Sequence, residues 1–160
     1  SRGLGDVYKR QGEIDLPAMQ ELMKASQGLS VTFHRAFDVC CNPEKALEQI
    51  IELGCNRILT SGQQPTAEIG IPLLKELQQQ ASGRIILLAG CGVNEKNIAR
   101  IASETGIQEF HFSARESIKS DMKYKNESVS MGGTVHIDEY ERNVTTAQRV
   151  TDTIQAINKG

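Results

Sequence analysis

Two histidines occupy matching places in two short runs of the chain. VTFHRAFD carries His34 and EFHFSAR carries His111. An imidazole titrates near neutrality, so the two can act as general acid and base or as metal ligands. Asp38 follows His34 by four residues and is of the type that orients an imidazole or joins a metal's ligand set. It is equally of the type that caps the start of a helix. Arg35 offers a planar fork for a carboxylate or phosphate, or a simple rim salt bridge. A lone strand histidine is usually a hydrogen-bonded core residue. Two in corresponding positions, each beside other polar residues, point to a site instead.

Three glycine- or serine-bearing stretches end apolar runs: TSG (60–62), AGCGVN (89–94) and SAR (113–115). Glycine lets a backbone approach a ligand closely, although tight turns use it for steric reasons alone. Taken together with Arg35, these stretches outline an anion pocket of Ser61, Gly62, Gly90, Gly92, Ser113 and Arg115. The chemistry suggested is binding of a small anion, with His34, Asp38 and His111 as catalytic candidates.

Cys40, Cys41, Cys55 and Cys91 show no CxxC spacing. Without a visible secretory signal they read as reduced thiols in the cytoplasm. They serve either as small buried hydrophobes or as soft ligands for an ion such as Cu(I). No metal ligand set can be named from spacing. A net charge of -2 with scattered Lys and Arg excludes nucleic acid as a partner. Absence of Trp leaves little for base stacking. No apolar run approaches the roughly 18 residues of a membrane span.

These residues need elements to place them. Leu16, Met19, Leu22 and Met23 recur at helical spacing after Asp15, with Pro17 in the first turn. PEKALEQIIELG reads as a helix capped by Asn42 and stopped at Gly54. The stretch from Pro65 to Gly83 reads as a helix with an irregular start, NEKNIARIASETG as another, and 144–158 as a closing helix after a polar stretch with Gly132 and Gly133. Between them lie strands in VTFHRAFD, NRILTSG, RIILLAGCG and EFHFSAR. Every helix ends in Gly shortly before the next strand. This repeated βα unit predicts parallel strands and favours a barrel over a flavodoxin-like open sheet. Val31 and Phe33 fall on one strand face, Thr32 and His34 on the other. Phe110 and Phe112 likewise oppose Glu109, His111 and Ser113. In a barrel the polar set points inward, and barrel enzymes keep their chemistry at the C-terminal strand ends.

VTFHRAFD, RILTSG, LLAGCGV and EFHFSAR, in this order and spacing, resemble the CutC family of copper homeostasis proteins. GEIDLPAMQELM and the late Tyr140 and Thr145 resemble that family too, so the likeness spans residues 12–160. It implies the C-terminal half of a TIM (β/α)8 barrel, with four parallel strands and flanking helices. It also implies a cytoplasmic role in copper homeostasis, with Cu(I) as the bound ion. The family's proposed copper cysteines lie in an N-terminal part absent from this sequence, and Cys40, Cys41 and Cys91 are not their equivalents.

Residues 1–11 do not fit the family pattern. DVYKRQ can be encoded by GAT GTG TAT AAG AGA CAG, which resembles a transposase mosaic end used as a sequencing adapter. Residues 1–11 are therefore expected to be adapter-derived, and 12–160 to be a partial barrel domain. Four strands of eight leave two open edges, so aggregation or a homo-oligomer that completes the barrel is expected. The alternative function is an enzyme acting on a small anionic metabolite, phosphorylated or sugar-like. A polar inner face suits that reading better than a soft-metal carrier, which needs convergent thiolates.

Overall fold

The computed structural model describes residues 12–126, 128 and 140–158. Residues 1–11 and the Gly132-Gly133 stretch lie outside them. Helix α1 spans Leu16–Ala25, with Pro in its first turn and the Asp15 carboxylate accepting from the Ala18 N–H at 3.4 Å. Strand β1 is Thr32–Phe33, followed by a 3-10 turn, Arg35–Val39. Helix α2, Pro43–Glu52, is capped by Asn42, whose Oδ1 accepts from the Lys45 N–H at 2.8 Å. Then come β2 (Arg57–Thr60), α3 (Ile71–Ala81), β3 (Ile86–Gly90), α4 (Ile98–Thr105) and β4 (Glu109–His111).

Strands β1 to β4 form one parallel sheet in sequential order, in register Phe33↔Ile58, Leu59↔Leu88 and Gly90↔His111. Sequential winding is not the order of a flavodoxin-like sheet, which reverses at a switch point. Phe33, Ile58, Leu87 and Ala89 point to the helices and are buried with Leu47, Ile50, Leu74, Leu77 and Ile101. Full burial of one such Leu contributes about 2 kcal/mol. The alternate residues Thr32, His34, Ile86 and His111 are exposed, because no described element covers that face. Arg57 and Glu109 bridge it from β2 to β4 with two hydrogen bonds of 2.6 and 3.1 Å. Arg57 holds the Glu109 carboxyl below its ordinary range by those hydrogen bonds, against a small opposing effect of desolvation.

Three expectations require correction. EFHFSAR is not one strand: β4 ends at His111, and Ala114 turns the chain with φ +46°. Arg115 instead begins β5 (Arg115–Lys119), which pairs antiparallel with β6 (Glu141–Thr145) in a separate two-stranded ribbon. Val144 belongs to β6, so the closing helix α5 is Ala147–Asn158. Finally, Asn94 does not open α4: it precedes a turn, and Asn97 is the residue before the helix.

Candidate functional site

The chemistry-bearing residues collect at the C-terminal ends of the strands, in two adjoining groups. The first is built around Asp38. Its carboxylate accepts from Arg35 Nε at 2.7 Å, from the Thr60 hydroxyl at 2.6 Å and from the Ser61 and Gln63 N–H groups at 3.0 and 3.1 Å. The Ser61 hydroxyl is 3.1 Å from Asp38 Oδ2 and 2.5 Å from the Gln64 carbonyl, and accepts from Arg35 Nη2 at 2.8 Å. Asp38 is thus the anchor of the loop after β2. It neither caps a helix nor orients His34. The Asp38 hydrogen bond raises the pKa of the Arg35 guanidinium, against an opposing effect of burial.

His34 turns away from this group. Its Nδ1 accepts from the Ala36 N–H at 3.0 Å, which caps the 3-10 turn, and its ring tilts against Phe33. His34 and His111 stand on the two edge strands of the sheet, three strand spacings of about 4.8 Å apart. The structure does not bring them together as an acid–base pair.

The second group lines a cavity of about 340 Å³ at the ends of β3 and β4. Cys91, Gly92, Asn94, Glu95, His111, Ser113, Arg115, Arg149 and Thr153 contribute to its wall. Arg149 comes from α5 and is engaged, pairing with Glu95 at 3.0 Å and donating to the Arg115 carbonyl. Arg149 in turn holds the Glu95 carboxyl below its ordinary range through that hydrogen bond. The side chains of His111, Ser113 and Arg115 have no hydrogen bond or ion pair among the described residues. Glu95 and Arg149 were not singled out from sequence, and Asn94 only as the end of AGCGVN and the start of a helix. Only the helical spacing around Arg149 hinted at its element, and nothing in the sequence placed it beside Ser113.

The glycines of these loops sit in close contacts with the rest of the chain. Gly62 packs against the Gly70 backbone, and a Cβ on Gly70 would overlap the Ser61 carbonyl. Gly90 faces Leu59 and His111, while Gly92 faces Thr66. Their missing side chains make room for other parts of the chain. The loops after β2 and β3 are tied together by the Ala67 N–H to the Cys91 carbonyl at 2.9 Å and the Cys91 thiol to the Pro65 carbonyl at 3.0 Å. Cys91 adopts φ +78°, a left-handed conformation rare outside glycine and concentrated at ligand sites.

The cysteines do not converge. Cys40 and Cys55 are buried, Cys41 is exposed and Cys91 half-buried. Among the described residues no three His, Cys, Asp or Glu are grouped to hold a metal ion. The Cys55 sulfur lies 3.8 Å from the Met23 sulfur, and burial pushes its thiol pKa up. No helix among the described residues is long and apolar enough to cross a membrane.

Comparison with known proteins adds an independent line. A family model described as the CutC family matches residues 4–116. A family protein CutC of Bacteroides thetaiotaomicron is 93% identical over 146 residues, covering 91% of this chain and 59% of the relative. Its counterpart in Bacteroides fragilis is 78% identical over the same length, covering 91% of this chain and 58% of the relative. The chain therefore spans somewhat under two thirds of these relatives. Among solved structures, the putative copper homeostasis protein CutC from Streptococcus agalactiae superposes with a TM-score of 0.61 at 34% identity, over 64% of this chain and 51% of that one. A structure titled native KDPGal, at 15% identity and TM-score 0.54 over 92% of this chain and 56% of that one, shares the fold alone.

Proposed function

The chain belongs to the CutC family, and from that premise we propose that its four strands are half of an eight-stranded barrel whose strand-end cavity binds a small anionic metabolite. The bound molecule is phosphorylated or sugar-like, and the protein is a cytoplasmic enzyme. One observation carries this reading: His111, Ser113 and Arg115 line one cavity and are all without partners among the described residues. A guanidinium, a hydroxyl and an imidazole are the donors a phosphate or carboxylate takes. They stand at and just beyond the C-terminal end of the parallel strand β4, the end at which barrel enzymes keep their chemistry. His111 is the one group of the three of the type that general acid–base catalysis most often uses.

Thermal melting with inorganic phosphate and small phosphorylated compounds tests this. A ligand that binds the folded state raises Tm with concentration. The shift is expected to vanish in Arg115→Ala and shrink in His111→Ala. No shift from any anion in the unaltered protein would refute the reading.

A second reading, copper handling, draws on the streptococcal relative's description as a copper homeostasis protein and on the Met23–Cys55 sulfur pair. The described residues fit it less well. Cu(I) favours convergent thiolates, no three His, Cys, Asp or Glu are grouped among the described residues, and burial disfavours the Cys55 thiolate. A Cu(I)-dependent rise in Tm that Cys55→Ser abolishes would favour this reading over the first.

A further inference from the structure

Arg149 stands where its own helix gains nothing from it. It lies in the first turn of α5, the end at which a helix dipole disfavours a cation. What holds it there is tertiary. Nη2 reaches both carboxylate oxygens of Glu95, at 3.1 and 3.0 Å, and Nη1 donates to the Arg115 carbonyl. One guanidinium thus ties the closing helix to the loop after β3 and to the first residue of β5.

Glu95, Arg115 and Arg149 all line the cavity at the ends of β3 and β4. Among the described residues of its wall they carry the fixed charges, one carboxylate against two guanidinium groups. With Glu95 matched by Arg149, Arg115 is the surplus cation. Without Arg149, Glu95 would stand against Arg115 and the wall would carry no net charge. Arg149 also holds the Glu95 carboxyl below its ordinary range, so the negative charge is a fixed part of the wall. The two side chains are 32% and 28% exposed, and charges partly shielded from water are felt more strongly than those at the open surface.

Building on the anion-site reading above, we infer that Arg149 is a positioning residue of that site, which masks Glu95 and so leaves the cavity with the surplus positive charge that receives an anion. Arg149 acts through Glu95 and does not touch the ligand. The two residues therefore push anion affinity in opposite directions: Arg149 raises it, and Glu95 limits it.

Titration calorimetry with inorganic phosphate tests this in the unaltered protein, Arg149→Met, Glu95→Gln and the double variant, at one fixed ionic strength because salt screens such effects. Arg149→Met is expected to bind phosphate about tenfold more weakly, as an unmasked charge in a partly shielded site provides. Glu95→Gln is expected to bind about threefold more tightly. The double variant is expected to return to within about threefold of the unaltered protein, a rescue that a purely structural role for Arg149 cannot give. Should Arg149→Met fail to fold, Glu95→Gln and Arg149→Lys decide, the latter keeping the charge and expected to hold its affinity within about threefold. A guanidinium that touched the anion itself would leave the double variant as weak as Arg149→Met. That result overturns the inference and leaves the anion site standing, and so does weaker binding by Glu95→Gln. If phosphate binds none of these proteins, the anion site falls and the inference with it.

Discussion

Asp38 holds Ser61 at two points, taking its backbone N–H at 3.0 Å and facing its hydroxyl at 3.1 Å, although 23 residues separate them. The same carboxylate reaches Thr60 and Gln63, so one side chain fixes the whole turn after β2. That side chain is only 7% exposed, and truncating it leaves several buried donors unpaired. Asp38→Ala is expected to destabilise the fold by about 2–4 kcal/mol, and Asp38→Asn by less. Urea denaturation of the two variants measures this. A loss under about 0.5 kcal/mol in both would show that the turn is held elsewhere.

The two histidines are expected to separate by experiment. His34 caps a 3-10 turn, so His34→Ala should cost about 0.5–1 kcal/mol of stability and leave anion binding intact. His111→Ala should leave stability nearly unchanged and weaken anion binding, since its imidazole has no partner to lose among the described residues. Paired melting and titration of both variants decide it. Reversed effects would place the site on the opposite edge of the sheet.

Gly62 and Gly70 meet backbone to backbone, so a methyl on either has nowhere to go. Gly70→Ala is expected to prevent accumulation of folded protein. Gly54→Ala, at φ +83° but in open space, is expected to cost only about 1 kcal/mol. Expression level and circular dichroism of the two variants provide the comparison. Equal tolerance would mean that the loop can be rebuilt around a side chain.

Acid stability carries a signature from Glu48. Arg84 and then Gln80 hydrogen-bond its carboxylate and pull its pKa down to about 2. A group depressed on folding stabilises the protein above its unfolded value, and that contribution is lost as pH falls through the folded value. The window thus runs from about 4.5 down to about 2. Both partners are exposed, so the effect is small and screened by salt. Glu48→Gln is expected to flatten the fall of Tm across that window at low ionic strength. An unchanged slope would show that the ion pair does not persist in solution.

Much of this was legible from residue types. Asn42 with Pro43, and Gly54 after a periodic run, marked α2 because caps and stops are local. The four strands announced themselves through short apolar runs with Phe33, Ile58 and Leu87 at alternate positions. The ribbon of β5 and β6 did not, because RESIK and ERNVT are polar on both faces and bury almost nothing. The 3-10 turn hid inside VTFHRAFD, since its Phe37 reads equally well as strand. Asp38 was found as a polar residue in the right place, but apart from Arg35 its partners Thr60, Ser61 and Gln63 lie 22 to 25 residues away. No spacing rule reaches that far. The same holds for Arg149 beside Glu95, 54 residues apart.

The exposed face of the sheet bears Thr32, His34, Ile86 at 40% exposure and the Arg57–Glu109 pair, and β4 has no strand on its outer side among the described residues. Unprotected edges invite pairing with another chain. A homodimer that brings two four-stranded sheets together is therefore expected, with light scattering after size-exclusion chromatography reporting twice the chain mass. A monodisperse monomer that melts cooperatively would contradict it.

The stitch between Ala67 and Cys91 has a consequence in time as well as space. An amide in a surface loop ordinarily trades its proton for deuterium within seconds, but Ala67 is fully buried and its N–H is committed to a carbonyl on the neighbouring loop. The Ser61 and Gln63 amides are committed to Asp38 in the same way. These protons can leave only when two loops part together, so the floor of the candidate site should exchange as slowly as the strands beneath it. That floor is set by the fold itself, before anything reaches it.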